Sequence, residues 1–247
     1  MSRFKAASLH FALSVLVGAA LLGAMLLLWY PAPFFEASGG NHLALLIIGI
    51  DVVLGPLMTL IVFDIRKKSL KFDMAAVLFI QAAALIYGTN IMFQARPAFV
   101  VYAVGVFRIA AANELEPELL AQAQHEEFRR PPLGGPQIVA AANPTDPTEL
   151  STVTFAALSG IDLHVLPKYY VPYADQRTDA ARRGRPLAVL KAAAGEDAEA
   201  VDRFLAASGR REDSLRFLPL LAKARELTVL VDAESGDVVA ILPLTSP

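Results

Sequence analysis

Asp51 is the residue of this sequence whose setting most demands chemistry, because it stands in Leu43–Phe63, an apolar run that holds no other charge. A carboxylate at the centre of a membrane-crossing helix costs at least about 2.5–3.5 kcal/mol on insertion scales, so something must compensate it. Three chemistries would use such an acid: a proton relay, half of an aspartyl-protease dyad, or a polar group that binds a partner helix. The fourth reading is an Asp held by hydrogen bonds that fixes the packing of neighbouring helices. A proton path needs several ionisable groups in series, and a dyad needs two carboxylates sharing one site. The other two long apolar runs contain no second acid. Asp51 is therefore read as structural or partner-binding, with Ser14, Gln81, Tyr87 and Asn90 as its candidate partners. Gly55-Pro56 follows one turn later, where the proline ring removes a helix bond, kinks the axis and frees carbonyls beside the acid.

A second cluster, Tyr169-Tyr170-Val171-Pro172-Tyr173, admits two readings: aromatics against a proline form a recognition surface, or they fill a core with their hydroxyls hydrogen-bonded. Other chemistries lack their components. The four histidines, His10, His42, His125 and His164, have no ligand spacing, and there are no cysteines. Gly-x-Ser-x-Gly, Ser-x-x-Lys and glycine-rich phosphate loops are missing, and His125-Glu126-Glu127 reads as a solvated helix face. The sequence assigns no catalytic residue, no metal site and no cofactor, and points to a non-enzyme. A net charge of -2 with no long basic run excludes nucleic acid as a partner.

The elements that must position these residues fall into two textures. With 55% hydrophobic and 19% charged residues the chain is too apolar for an ordinary soluble protein, and the excess lies in its first hundred positions. Three runs, about 9–30, 43–63 and 74–93, each approach the roughly 20 residues that a helix needs to cross a bilayer. The first follows Arg3 and Lys5 as a signal peptide would, but a signal's apolar region is only about 7–15 residues long. Here it ends in Trp29-Tyr30-Pro31, an interfacial anchor followed by a helix breaker, so it reads as a retained span. Pro31–His42 carries no Lys or Arg, whereas Asp64–Asp73 carries Arg66, Lys67, Lys68 and Lys71. Positively charged short loops stay in the cytoplasm, which puts the N-terminus and the 64–73 loop inside and everything after Arg96 outside. Ala19/Gly23, Ala20/Ala24 and Ala84/Gly88 are small-x-x-x-small pairs suited to close helix packing.

The division expected is a membrane domain over 1–98 and a periplasmic domain over 99–247, of α+β class and ending in a β-hairpin. The second part has 20 Asp and Glu against 15 Lys and Arg. Phe99–Phe107, β-branched and aromatic, reads as one strand, Glu118–Phe128 as a helix, and Arg129–Pro136 as a Pro/Gly loop before a brief strand at Gln137–Ala140. Pro147–Leu158 and Glu196–Ala207 have helical apolar spacing. Thr228–Asp232 and Val238–Leu242 flank a five-residue loop with Gly236, the pattern of a hairpin.

Several of these segments together, Arg3-Phe4-Lys5-Ala6, Trp29-Tyr30-Pro31, Gly49-Ile50-Asp51-Val52-Val53-Leu54-Gly55-Pro56-Leu57, Lys67-Lys68-Ser69-Leu70-Lys71-Phe72-Asp73 and Gln94-Ala95-Arg96-Pro97, resemble the TfpX/TfpZ family of type IV pilin accessory proteins. Tyr169–Tyr173, Leu218-Pro219-Leu220 and the closing hairpin are similar too, so the resemblance covers nearly the whole chain. It implies a multi-pass protein of the bacterial inner membrane, without catalytic activity, that assists a particular major type IV pilin, with the pilus assembly machinery as a further partner. On that reading the kinked second span with Asp51, Gly55 and Pro56 meets the pilin helix, and the tail, with Tyr169, Tyr170, Pro172 and Tyr173, meets its head. The alternative is a membrane-anchored periplasmic ligand-binding, sensor or cell-envelope protein.

Overall fold

The computed structural model describes residues 2–158, 160–195 and 198–247. Three helices carry the apolar runs: α1 (Arg3–Ala24), extended by a π-helical turn over Met25–Trp29, α3 (Gly40–Val62) and α4 (Leu70–Gln94). All three are long and apolar enough to cross a membrane. Their ends follow local chemistry: the Ser2 hydroxyl caps α1 by accepting from the Lys5 N–H, and Gly39 supplies the left-handed turn (φ 76°) that starts α3. Asp73 lies in the first turn of α4, where a negative charge suits the helix dipole.

The helices meet along stripes of small side chains and point their large ones outward. On α1 the buried positions Ala6, Ser14 and Gly18 fall on the four-residue spacing that also contains His10. Added Cβ atoms would come within 2.7 Å of Ile48 at Gly18 and within 2.8 Å of Ile47 at Gly88, so both glycines are what lets these helices approach. The pairs Ala19/Gly23 and Ala20/Ala24 expected from sequence do not pack this way: Ala19 and Ala20 are exposed and Gly23 faces open space. The contact stripe is rotated by one residue onto Gly18.

After α4 the chain turns within two residues into an α/β domain built on a mixed eight-stranded sheet. The strands are β1 (Pro97–Ala103), β2 (Val106–Ala111), β3 (Gln137–Ala141), β4 (Tyr170–Pro172), β5 (Arg185–Pro186), β6 (Leu215–Leu221), β7 (Leu227–Asp232) and β8 (Val238–Leu242). Their order is β4-β3-β1-β2-β6-β7-β8, with β5 added on β6. The β1/β3 and β2/β6 pairs are parallel, pairings that the α+β expectation did not include. Alternation along β1 sends Phe99 and Val101 to one face and Val100 and Tyr102 to the other. The first face is covered by α5 (Pro117–Leu120), α6 (Pro147–Leu158) and the 161–169 segment, and the second by α7 (Arg177–Arg183). A third apolar cluster seats α8 (Leu187–Ala194) and α9 (Ala198–Ser208) on Phe217 and Leu230. The segment between α1 and α3 joins the bundle to the sheet. In its short helix α2 (Phe34–Ala37), Phe34 and Ala37 enter the second face of the sheet while Phe35 packs into the helix bundle.

Three expectations need correction. Phe99–Phe107 is not one strand but most of a hairpin, because Val104 and Gly105 adopt φ values of 48° and 86°, the doubly positive geometry of a tight two-residue turn. Glu118–Phe128 is not one helix: α5 stops at Leu120, a 3-10 turn covers Glu126–Phe128, and the carbonyl of Ala123 between them accepts from the Arg129 side chain. Pro147–Leu158 is the helix expected, α6, but of its apolar set only Val153 is buried, while Leu150, Phe155 and Leu158 are exposed. The closing hairpin is as read, and the predicted helix at Glu196–Ala207 is found as α9, Glu196 and Asp197 lying outside the described residues.

Strand direction fixes which loops lie near the bundle. The loop between β6 and β7 bonds to it, Ala224 N–H donating to the Ala37 carbonyl at 2.9 Å. From there β7 runs away from the bundle for roughly 17 Å at about 3.3 Å per residue. The 104–105 turn and the 233–237 loop are therefore distal.

A β-branched residue in left-handed backbone is strained by about 1–2 kcal/mol. Val104 is half exposed, so Val104→Asn loses little packing and should stabilise the protein by about 1 kcal/mol, raising the unfolding midpoint in detergent by about 2–4 °C. A thermal melt followed by circular dichroism checks this; an unchanged or lower midpoint contradicts it.

Candidate functional site

Asp51 sits where α3 faces α4. The Gln81 amide nitrogen donates to the Asp51 carboxylate Oδ1 at 3.1 Å and approaches its backbone carbonyl at 3.4 Å. Of the partners proposed from sequence, Gln81 is the one bonded to the acid, while Tyr87 is exposed to 68%. Gly55 belongs to the same contact by leaving room for it: a Cβ there would fall 2.0 Å from the Gln81 amide nitrogen and 3.0 Å from His10 Nε2. Pro56 lies inside α3 and has no N–H to give to the carbonyl four residues earlier, Val52.

Sequence reasoning missed the other half of this polar layer. His10 Nδ1 lies 2.6 Å from the hydroxyl of Thr59, which is buried at 1% exposure. The layer thus draws His10 and Ser14 from α1, Asp51, Gly55 and Thr59 from α3, and Gln81 from α4. The signal was present: 51, 55 and 59 are spaced by four, as are 10, 14 and 18, so each set lies on one helix face. Asp51 is half-buried and borders two clefts. One, of about 210 Å³, opens between α3 and α4 and is lined almost wholly by apolar side chains such as Ile50, Leu54, Met58 and Ile80. The other, of about 140 Å³, opens towards α1 beside His10 and Ser14. Gln81 Oε1 is buried without a partner among the described residues. The half-buried Asp51 carboxylate therefore offers an acceptor inside an apolar wall, able to take a hydrogen-bond donor from a helix laid against it.

The tyrosine cluster is divided by the structure. Tyr170 is fully buried between Phe99 and Phe128, and its hydroxyl donates to the His164 carbonyl. Tyr173 donates to the Gly236 carbonyl at 2.7 Å and packs on Tyr102 and Phe107. Burial raises the pKa of both phenols. Pro172 is half-buried in β4, paired with Val139. Tyr169 alone faces a groove, of about 620 Å³, between α6 and the 161–169 segment. Its hydroxyl donates to Glu149 at 2.8 Å, and Lys168 pairs with the same carboxylate. The Lys168 and Tyr169 hydrogen bonds hold Glu149 below the usual carboxylate range. Core filling is thus the role of Tyr170 and Tyr173, and surface the setting of Tyr169. Among the described residues, no three His, Cys, Asp or Glu side chains converge as a metal site would require.

The family described as fimbrial assembly protein FimB matches residues 1–39 of the chain. A fimbrial assembly protein of serogroup I from Dichelobacter nodosus is 31% identical over 242 residues, spanning 96% of this chain and 93% of the relative. That of serogroup E1 from the same organism has the same identity and coverage. The fimbrial assembly protein of serogroups C1 and C2 is 38% identical over 121 residues, 48% of this chain and 92% of the relative. No solved structure matches.

The geometry at Gly55 makes a specific expectation. Gly55→Ala must push the Gln81 amide off Asp51, so it should destabilise the bundle by about the value of one interhelical hydrogen bond, roughly 0.6–2 kcal/mol. Gln81→Ala removes the same bond by another route. The double variant should then be little worse than either single one, a non-additivity measurable in a double-mutant cycle of thermal unfolding. Full additivity would mean that Gly55 and Gln81 act independently.

Proposed function

Because the chain belongs to the family of fimbrial assembly proteins, 31% identical to one of them over 96% of its length, we propose that it assists fimbrial assembly as a non-enzymatic accessory protein of the bacterial inner membrane. The end-to-end match is the observation that carries this reading. The resemblance to TfpX/TfpZ proteins narrows it to a particular major type IV pilin. A pilin is held in the bilayer by one apolar helix and has its globular head outside, so its accessory protein needs a surface in each layer. The cleft between α3 and α4 serves the first: an apolar wall accepts a helix, and the Asp51 carboxylate, held by the Gln81 amide, accepts a hydrogen bond from it. The α/β domain, with Tyr169 in its groove, serves the second. The basic 64–73 loop supports a cytoplasmic N-terminus and a periplasmic α/β domain.

Loss of the gene should reduce surface pili of the cognate pilin without stopping prepilin cleavage. Asp51→Asn keeps the size and hydrogen bonding of the side chain and should retain most pili. Asp51→Leu should lose them: normal abundance with reduced crosslinking to pilin marks a partner contact, and low abundance marks the bond to Gln81 within the bundle. If uncleaved prepilin accumulates in the deletion strain, the non-enzymatic reading fails. If Asn is as defective as Leu with crosslinking intact, Asp51 works by its proton and not as a contact.

Orientation is tested separately, since the chain has no cysteine of its own. A single cysteine at Ser235, in the distal 233–237 loop, should react with a membrane-impermeant thiol reagent in cells with a permeabilised outer membrane. One at Ser69, in the basic loop, should not. Equal labelling of both contradicts the three-span arrangement.

A further inference from the structure

The loop 129–136 leads from Phe128, in the core of the sheet, to β3, and it is seated on the ends of two long helices. Arg96, two residues beyond α4, donates from Nε and Nη2 to the Pro132 carbonyl at 3.0 and 2.8 Å, and from Nη1 to the Phe93 carbonyl at 2.6 Å. A Cβ at Gly135 would lie 3.0 Å from the ring of Pro31, and one at Gly134 would lie 3.6 Å from the Leu28 carbonyl oxygen. Leu133 is the neighbour of Gly134, and successive Cα atoms are about 3.8 Å apart. The backbone of Leu133 is therefore level with the last turn of the first apolar run, just before its Trp29-Tyr30 end.

At that level Leu133 is 75% exposed, and Leu27 and Leu28 are 81% and 55% exposed. A loop built only to face water has no reason to expose a leucine at the level where a membrane-length helix ends. The two residues that open the loop are exposed cations, Arg130 outright and Arg129 with its Nε given to the Ala123 carbonyl and its Nη groups left over among the described residues. Cations followed by an apolar residue at the end of a spanning helix are the arrangement of an interfacial contact, with guanidinium groups among lipid phosphates and the leucine at the acyl boundary.

We propose that the 129–136 loop is a further membrane contact of this protein, which inserts Leu133 into the outer-leaflet acyl boundary and seats the α/β domain on a phospholipid bilayer. This rests on the reading that the three apolar helices cross that bilayer. The occupant is lipid because the exposed leucine lies at the level of the exposed Leu27 and Leu28 at the end of α1, and exposed apolar side chains of a spanning helix have lipid as their neighbour.

The full-length protein carrying Leu133→Cys, labelled with an environment-sensitive fluorophore, is reconstituted into vesicles of phosphatidylethanolamine and phosphatidylglycerol. Quenching by a lipid with a shallow nitroxide is compared with quenching by iodide supplied on both faces. Val53→Cys, an outward-facing position in the middle of α3, and Ser235→Cys, in the distal loop, are measured alongside. The label at 133 should be quenched by the nitroxide lipid several-fold more than the label at 235, and should be shielded from iodide. The proposal is overturned if 133 behaves like 235 while 53 is quenched by lipid. If 53 also behaves like 235, the spanning reading itself is wrong and the proposal falls with it.

Discussion

The arrangement of bundle and sheet depends on the buried guanidinium of Arg96. It is 4% exposed, and a charge taken from water must be hydrogen-bonded or it is costly. Each of its three nitrogens donates to the Phe93 or Pro132 carbonyl, and its Cζ lies 3.9 Å from the Phe93 ring centroid. The Phe93 carbonyl is one of those that a helix C-terminus leaves without a partner, at the end that favours a positive charge. The preceding carbonyl, Met92, is taken by the Tyr30 hydroxyl at 2.7 Å, which closes the end of α1 onto α4. Burial draws the pKa of Arg96 below that of a free guanidinium, yet arginine keeps its charge in proteins. Since β1 starts at the next residue and lies inside the sheet, the direction of the sheet is set at this joint.

Inside the bundle the features legible in the sequence were those independent of helix rotation. Charge-free runs of about twenty residues mark a helix whichever face it turns, and a lone acid among them must find a partner, which narrowed the choice to a few polar side chains including Gln81. The pairing of His10 with Thr59 was not found, because α1 and α3 are apolar all round and periodicity then reveals no inner face. Small and polar residues at every fourth position were the remaining guide. Ala6, His10, Ser14 and Gly18 keep that spacing better than the Ala19/Gly23 pair, which satisfies the motif and packs on nothing.

In the α/β domain, alternation and turn chemistry made the last hairpin readable, and the same logic failed where a residue stood against its own preference. Val104 in left-handed backbone hid the turn between β1 and β2. Pro219 lies inside β6, although proline argues against an inner strand. On that edge β5 pairs with Arg216 and Phe217 and β2 with Leu220 and Leu221, so Pro219 falls in the gap between the two partners. The tyrosine cluster was legible as aromatic and hydrogen-bonding, but which tyrosine faces inward depends on the pairing of β4 with β3, a long-range contact that local sequence does not encode.

Neighbouring residues Phe34 and Phe35 carry this coupling furthest. Phe34 joins Val100, Tyr102 and Leu227 in the core of the sheet, while Phe35 packs edge-on to Tyr30 within the bundle. One short helix therefore contributes to two cores, and it cannot move relative to either without opening an apolar surface of the kind worth about 25 cal/mol per Å². The Ala224–Ala37 hydrogen bond and the Arg96 joint hold the same interface at two further points. A sheet held on its bundle in this way does not swing on a flexible linker. The cleft beside Asp51 and the groove beside Tyr169 are therefore held at one fixed separation, set by these three contacts between bundle and sheet.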